Sequence, residues 1–157
     1  METSPPTSTL SPQDERIIAA LGHIAILLPL MGIIAPIVIW ITQKERSRFV
    51  SFQALQAIAF QLLMIVIWFV GMACYMGSFF LTFFSMMAAG SQGSGDAPLA
   101  FLSFIVPFVV MFGMIAVMGI FVIYGVIAAV LTFQGKDFRY LLVGQWVERY
   151  TQRASAL

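Results

Sequence analysis

Residues 17–41 read IIAALGHIAILLPLMGIIAPIVIWI, a run without a single charged side chain. About 20 apolar residues cross a hydrocarbon core of about 30 Å as a helix, so this run is long enough to be a membrane segment. It is not a plain one. Pro29, Gly32 and Pro36 interrupt it, and each proline removes a backbone donor and clashes with the preceding turn. The spacing predicts a break around residues 28–35. Two readings follow: one kinked crossing, or two short arms that enter and return on the same side with their broken backbone buried in protein.

On the N-terminal side the run is preceded by Asp14, Glu15 and Arg16. Ser11 or Asp14 can cap a helix there, with Pro12 in a permitted first-turn position and the acids near the positive helix end. Residues 1–13 read as a disordered polar tail, without the basic n-region of a signal peptide. On the other side lie Lys44, Glu45, Arg46 and Arg48, then two further charge-free runs at 49–95 and 97–135. Across the 157 residues, 61% are hydrophobic and 10% charged, against roughly 45–50% and 25% in a soluble domain. That excludes a water-soluble domain. A net charge of +1 with no basic stripe also excludes a nucleic-acid binder.

The predicted class is an all-α integral membrane protein with three main transmembrane segments, about 17–42, 49–89 and 98–133. The broken first segment makes four segments if it is re-entrant, and interfacial amphipathic helices complete the set. All belong to one helical membrane domain over 14–141, followed by a cytoplasmic amphipathic tail over 142–157. In the second run, Gln53 and Gln56 read as wetting an interfacial start. Residues 57–77 form the span, and Ser78, Thr82 and Ser85 mark the far interface. Residues 90–98 are a glycine- and serine-rich loop. Pro107 marks a kink or junction in the third run, Gly135 a helix cap, and Lys136 a cation at the negative helix end. In the tail, Leu142, Val143, Trp146, Val147 and Tyr150 share one side. That side lies on the membrane surface or docks on the bundle.

Lys44, Arg46, Arg48, Lys136 and Arg139 gather at one membrane face as a basic interface. With Arg149 and Arg153 they put seven of the eight basic residues on one side if residues 17–41 cross once. A re-entrant hairpin adds Arg16 to them. The positive-inside rule places that side, with the C-terminus, in the cytoplasm of a bacterial inner membrane.

Chemistry-bearing groups are scarce. Every acid lies in a tail or loop, and Cys74 is the lone cysteine, read as a small packing residue. No metal-ligand spacing or phosphate-binding glycine loop is present. The sequence therefore predicts no enzyme, no cofactor and no metal. Two polar residues inside the apolar runs stand out. Gln61 is expected to face another helix through a hydrogen bond or to line a substrate path. His23 is expected to be a neutral packing partner or a proton-sensitive switch. Ala73/Gly77 and Gly125/Ala129 are small pairs that permit close helix contact.

The stretch Arg48–Gln61, with Arg48, Phe49, Gln53, Gln56, Ala57 and Phe60, resembles the motif entering a central helix in a family of small bacterial membrane proteins of unknown function. It is similar, too, to the membrane subunit of the chloroplast inner-envelope (Tic) protein translocon. Tyr124-Gly125, then Gly135-Lys136 and Arg139-Tyr140, resemble that family's closing helix and basic exit. Gly22-His23 and Pro36 to Trp40 resemble its first segment. The resemblance spans about residues 14–145 and implies a compact helical membrane protein with, for the chloroplast member, a part in protein import. Together these features predict a non-enzymatic scaffold, assembly or protein-translocation component acting in a membrane complex. The alternative is a small channel or carrier for an unknown solute. The expected partners are the lipid bilayer and other membrane proteins or further copies of the chain, with no nucleic acid.

Overall fold

The computed structural model describes residues 10–28, 32–92, 97–141, 143–145 and 147–149. Their regular structure is entirely helical: α1 (Pro12–Ile24) with a 3-10 turn at Ala25–Leu27, α2 (Ile34–Gln43), α3 (Arg48–Gln92) and α4 (Ala97–Phe133). The Ser11 hydroxyl starts α1 by accepting from Asp14 N–H at 3.2 Å. The helix thus begins inside the stretch read as a disordered tail, whose residues 1–9 lie outside the described ones.

The first apolar run breaks where its prolines and glycine require. After Leu27 the chain turns extended at Leu28, and Gly32 N–H donates to Leu28 C=O at 2.9 Å. A Cβ on Gly32 would stand 2.5 Å from the Ala25 carbonyl oxygen and 2.9 Å from that of Leu28, so only glycine fits this return. Pro29 lies outside the described residues. Pro36 sits in the first turn of α2, where a missing N–H costs nothing. From there α2 packs back on α1, with Pro36 and Ile39 facing Gly22.

The second and third runs are simpler than their sequences suggest. Residues 48–92 form one unbroken helix instead of an interfacial piece followed by a span. The third run likewise continues through Pro107. Of the stretch read as a loop at 90–98, residues 90–92 end α3 and residues 97–98 open α4, while 93–96 lie outside the described residues. At about 1.5 Å per residue, both helices exceed the bilayer core. Residues 48–88 and 104–133 are long and apolar enough to cross a membrane, and only 17% of the most apolar window of each is buried. The core helix of a soluble protein is mostly buried, so these outward apolar side chains suit lipid.

By its packing the chain forms two compact units. Unit 1 comprises Met1–Leu63 and Val122–Leu157; unit 2 is Met64–Phe121. In unit 1, α1 lies on the first turns of α3 and the last turns of α4, α2 packs on α1, and the chain after α4 is bonded to the first turns of α3. The described residues of unit 2 are the arms of α3 and α4, where Gly71 meets the Met114 side chain in close contact. Cys74, read as a packing residue, is exposed on its α3 arm. Ala73 and Gly77 are both exposed, and among the described residues nothing lies within 4 Å of a Cβ built on Gly77.

Helix α4 ends in a Schellman cap. Gly135 has φ +77°; its N–H reaches Thr132 C=O at 2.9 Å, and Lys136 N–H reaches Leu131 C=O at 3.1 Å. This is the left-handed arrangement glycine favours. The Arg16 guanidinium lies directly over Gly135, where a Cβ would come within 2.5 Å of it.

Candidate functional site

Helix α1 offers unit 1 a face of small residues: Ala19, Gly22 and Ala25 are all buried. Backbones approach closely along it. Gly22 also meets Ala57 of α3, and Ile26 fills the space over Gly125 of α4, 3.0 Å from a built Cβ. Of the two small pairs in the sequence, Gly125/Ala129 is the one that is buried.

This packing carries His23 into the interior, 1% exposed, beside Gln53 and Gln56, both at 0%. The three side chains converge on the non-helical chain that leaves the α4 cap. Gln53 and Gln56 donate from their amide nitrogens to Phe138 C=O at 3.3 and 3.0 Å. Gln56 Oε1 accepts from Tyr140 N–H at 3.0 Å. Gln53 Oε1 meets His23 Nε2 at 3.2 Å, and His23 Nδ1 meets the Tyr140 hydroxyl at 3.0 Å.

The directions of these bonds follow from what each group can do. Gln53 Nε2 must donate to the Phe138 carbonyl, so its oxygen faces the imidazole and accepts from Nε2–H. His23 Nδ1 then accepts from the Tyr140 hydroxyl. Burial, with Tyr124 nearby, holds that hydroxyl well above the ordinary phenol range, so it keeps the proton it donates. Around the Tyr140 ring stand Phe60, stacked at 4.0 Å, with Phe138 and Tyr124 edge-on at 5.0 and 5.4 Å. The result is a polar clamp in an aromatic wall, gripping residues 138–140 from α1 and α3.

Gln53 and Gln56, read as wetting the start of the second helix, are thus the most enclosed polar residues of the site. Their amphipathic pattern is real, but the polar side faces backbone instead of water. Gln61 lies one turn deeper on α3, 3% exposed, with a long 3.5 Å contact from Nε2 to Gly22 C=O. Ala57 and Phe60 are buried beside it, and Pro36 is enclosed on α2. Trp40 is half-buried on α2 and has no part in the clamp. Sequence reasoning passed over Phe138 as a site residue and assigned Tyr140 no role. Their signal was a short aromatic stretch after a glycine cap, whose backbone groups had to find partners outside any helix.

The basic residues stay at the surface. Lys44, Arg46, Arg48 and Lys136 are exposed, and Arg139 pairs with Glu148 at 3.0 Å. A shallow groove joins Arg48, Phe49 and Phe52 of α3 to Asp137, Arg139 and Glu148. Within the tail, Gly144 N–H bonds Tyr140 C=O and Val147 is buried, so these described residues dock on the bundle. Leu142, Trp146 and Tyr150 lie outside the described residues. Among the described residues no group of three His, Cys, Asp or Glu side chains is placed to hold a metal ion.

Comparison with known proteins gives one result. The family model of the magnetosome magnetite crystal formation proteins (MamF/MmsF) matches residues 14–147. No curated protein and no solved structure matches the chain. The matched range covers the stretch over which the sequence resembles a small bacterial membrane family, whereas nothing in these comparisons supports a likeness to the chloroplast translocon or a role in protein transport.

Proposed function

The chain belongs to the magnetosome magnetite crystal formation protein family, and from that membership we propose that it is a non-enzymatic component of the magnetosome membrane. In this reading it acts as a scaffold or assembly partner in the complex that supports crystal growth. The observation that carries the proposal is how the clamp spends its polar atoms. His23, Gln53 and Gln56 hydrogen-bond to one another and to residues 138–140, so they hold the fold together and leave no donor set open to a substrate. A channel or carrier needs such groups along a wet path, and Gln61 is instead turned toward Gly22.

The same reading gives a topology. Helices α3 and α4 cross the bilayer, while α1 and α2 enter and leave on one side. Arg16 against Gly135 supports this, since it puts the start of α1 beside the end of α4. The ten residues of α2 reach only about 15 Å, half of the hydrocarbon core. All eight basic residues then share one side, which the positive-inside rule makes cytoplasmic, with the C-terminus.

The test is made in the native host. Deleting the chain should leave smaller or misshapen magnetite crystals by electron microscopy, and the wild-type copy should restore them. Normal crystals in the deletion strain would remove the proposal. Proteoliposomes serve as the second arm: solute flux that disappears in Gln61→Leu, with folding intact, would favour the carrier.

A further inference from the structure

We propose that the α1–α2 hairpin is a one-leaflet wedge, which makes this protein favour membranes whose basic-side leaflet is convex. The inference rests on the re-entrant topology above and concerns unit 1 alone.

The depth of the hairpin can be read from its neighbours. Arg16 lies at the level of Gly135, Gly22 at that of Ala57 and Gln61, and Ile26 at that of Gly125. From Arg16 to Leu27 the helical rise is about 17 Å, after which the chain turns back. With Arg16 near the start of α1 and Lys44 at the end of α2 set at headgroup depth, the turn falls near the bilayer midplane. Leu21, Leu27, Leu28, Ile34, Val38 and Ile41 are between 49% and 58% exposed on the outer surface of the hairpin, so that surface suits acyl chains.

Two helices side by side, each 10–12 Å across, add on the order of 200 Å² to a single leaflet. The docked chain over 136–141 adds more at headgroup level on the same side, since Gln53 and Gln56 hold Phe138 and Tyr140 to the first turns of α3. Material confined to one leaflet spreads that leaflet alone. The strain is relieved where the leaflet is convex, which is why elements inserted in one leaflet respond to curvature. A surface helix can respond by detaching, but this hairpin is fixed to α3 through His23–Gln53 and to α4 through Ile26 over Gly125. The whole protein must therefore redistribute.

The test uses the full chain with Cys74→Ser, at an exposed site, and a cysteine-bearing C-terminal tag in giant vesicles. An impermeant dye marks the molecules whose basic face is outward, and narrow tubules are then pulled. The dye should be enriched in the tubule over a lipid marker by about twofold or more, rising as the tubule narrows. Equal partition, or depletion, overturns the wedge. A second preparation tagged at the N-terminus separates the two ideas: tags labelled from opposite sides overturn the re-entrant topology itself, and the wedge with it. Tags labelled from one side without enrichment overturn the wedge only.

Discussion

His23 and Tyr140 stand 117 residues apart in sequence and meet at 3.0 Å, imidazole Nδ1 to phenol hydroxyl. The contact joins the first helix to the chain beyond the last. Tyr140→Phe keeps the ring stack on Phe60 but deletes the donor, leaving a buried ring nitrogen without a partner. Such a group costs about 1–3 kcal/mol. The variant should fold and unfold earlier in a detergent or steric-trapping titration; unchanged stability would mean that the hydroxyl has no part in holding α1.

Gln56→Leu removes two bonds at once, the donor to Phe138 C=O and the acceptor from Tyr140 N–H. Its predicted effect is local before it is global. Residues 136–149 should become more open to limited proteolysis while α3 and α4 stay protected. Gln56→Glu retains the acceptor for Tyr140 N–H but, when ionised, sets a buried carboxylate against the Phe138 carbonyl, so at neutral pH it should open the segment at least as much as leucine. Identical cleavage rates in all three proteins would refute the clamp.

At Gly135 the backbone has φ +77°, a conformation that costs other L-residues about 1–2 kcal/mol. Gly135→Ala also pushes a Cβ into the Arg16 guanidinium. A loss of about 1–2 kcal/mol is expected, smaller for Gly135→Asn because asparagine tolerates this region better. Restoration of part of the loss by Arg16→Ala would identify the guanidinium contact.

Two glycines on long helices should respond oppositely. Gly77→Ala meets open space, so the helix gains about 0.8–1 kcal/mol of propensity. At Gly125 the new methyl lies 3.0 Å from two Ile26 carbons, and overpacking of this kind costs about 1–3 kcal/mol. Thermal unfolding of the pair in one detergent checks the sign; equal shifts would contradict the seat of Ile26.

The features legible in the sequence were those set by local chemistry. Pro36 and Gly32 announced the broken first run, Ser11 its cap, Gly135 the end of α4, and the charge-free runs the long apolar helices. The role of Gln53 and Gln56 was hidden because their partners are backbone groups 82 to 85 positions away. A polar side chain near a helix start reads as water-facing unless that distant chain is known to arrive. Residues 49–92 misled for a related reason. Polarity changes along the run suggested division, but polarity alone does not break a helix: no proline interrupts 49–92, and Gly71, Gly77 and Gly90 are carried inside it, each costing only about 1 kcal/mol relative to alanine.

The clamp also imposes an order on synthesis. During insertion, His23, Gln53 and Gln56 enter with the first half of the chain, while Phe138 and Tyr140 emerge only near its end. Until then three polar side chains are committed to an interior that cannot yet satisfy them. Their final bonds form across most of the polypeptide, where loop closure is slow. A chain arrested before Phe138 could form His23–Gln53. It would leave His23 Nδ1, the Gln53 amide nitrogen and the whole Gln56 amide without the partners that residues 138–140 supply, a chemical mark by which quality-control proteases can tell an unfinished copy from a finished one.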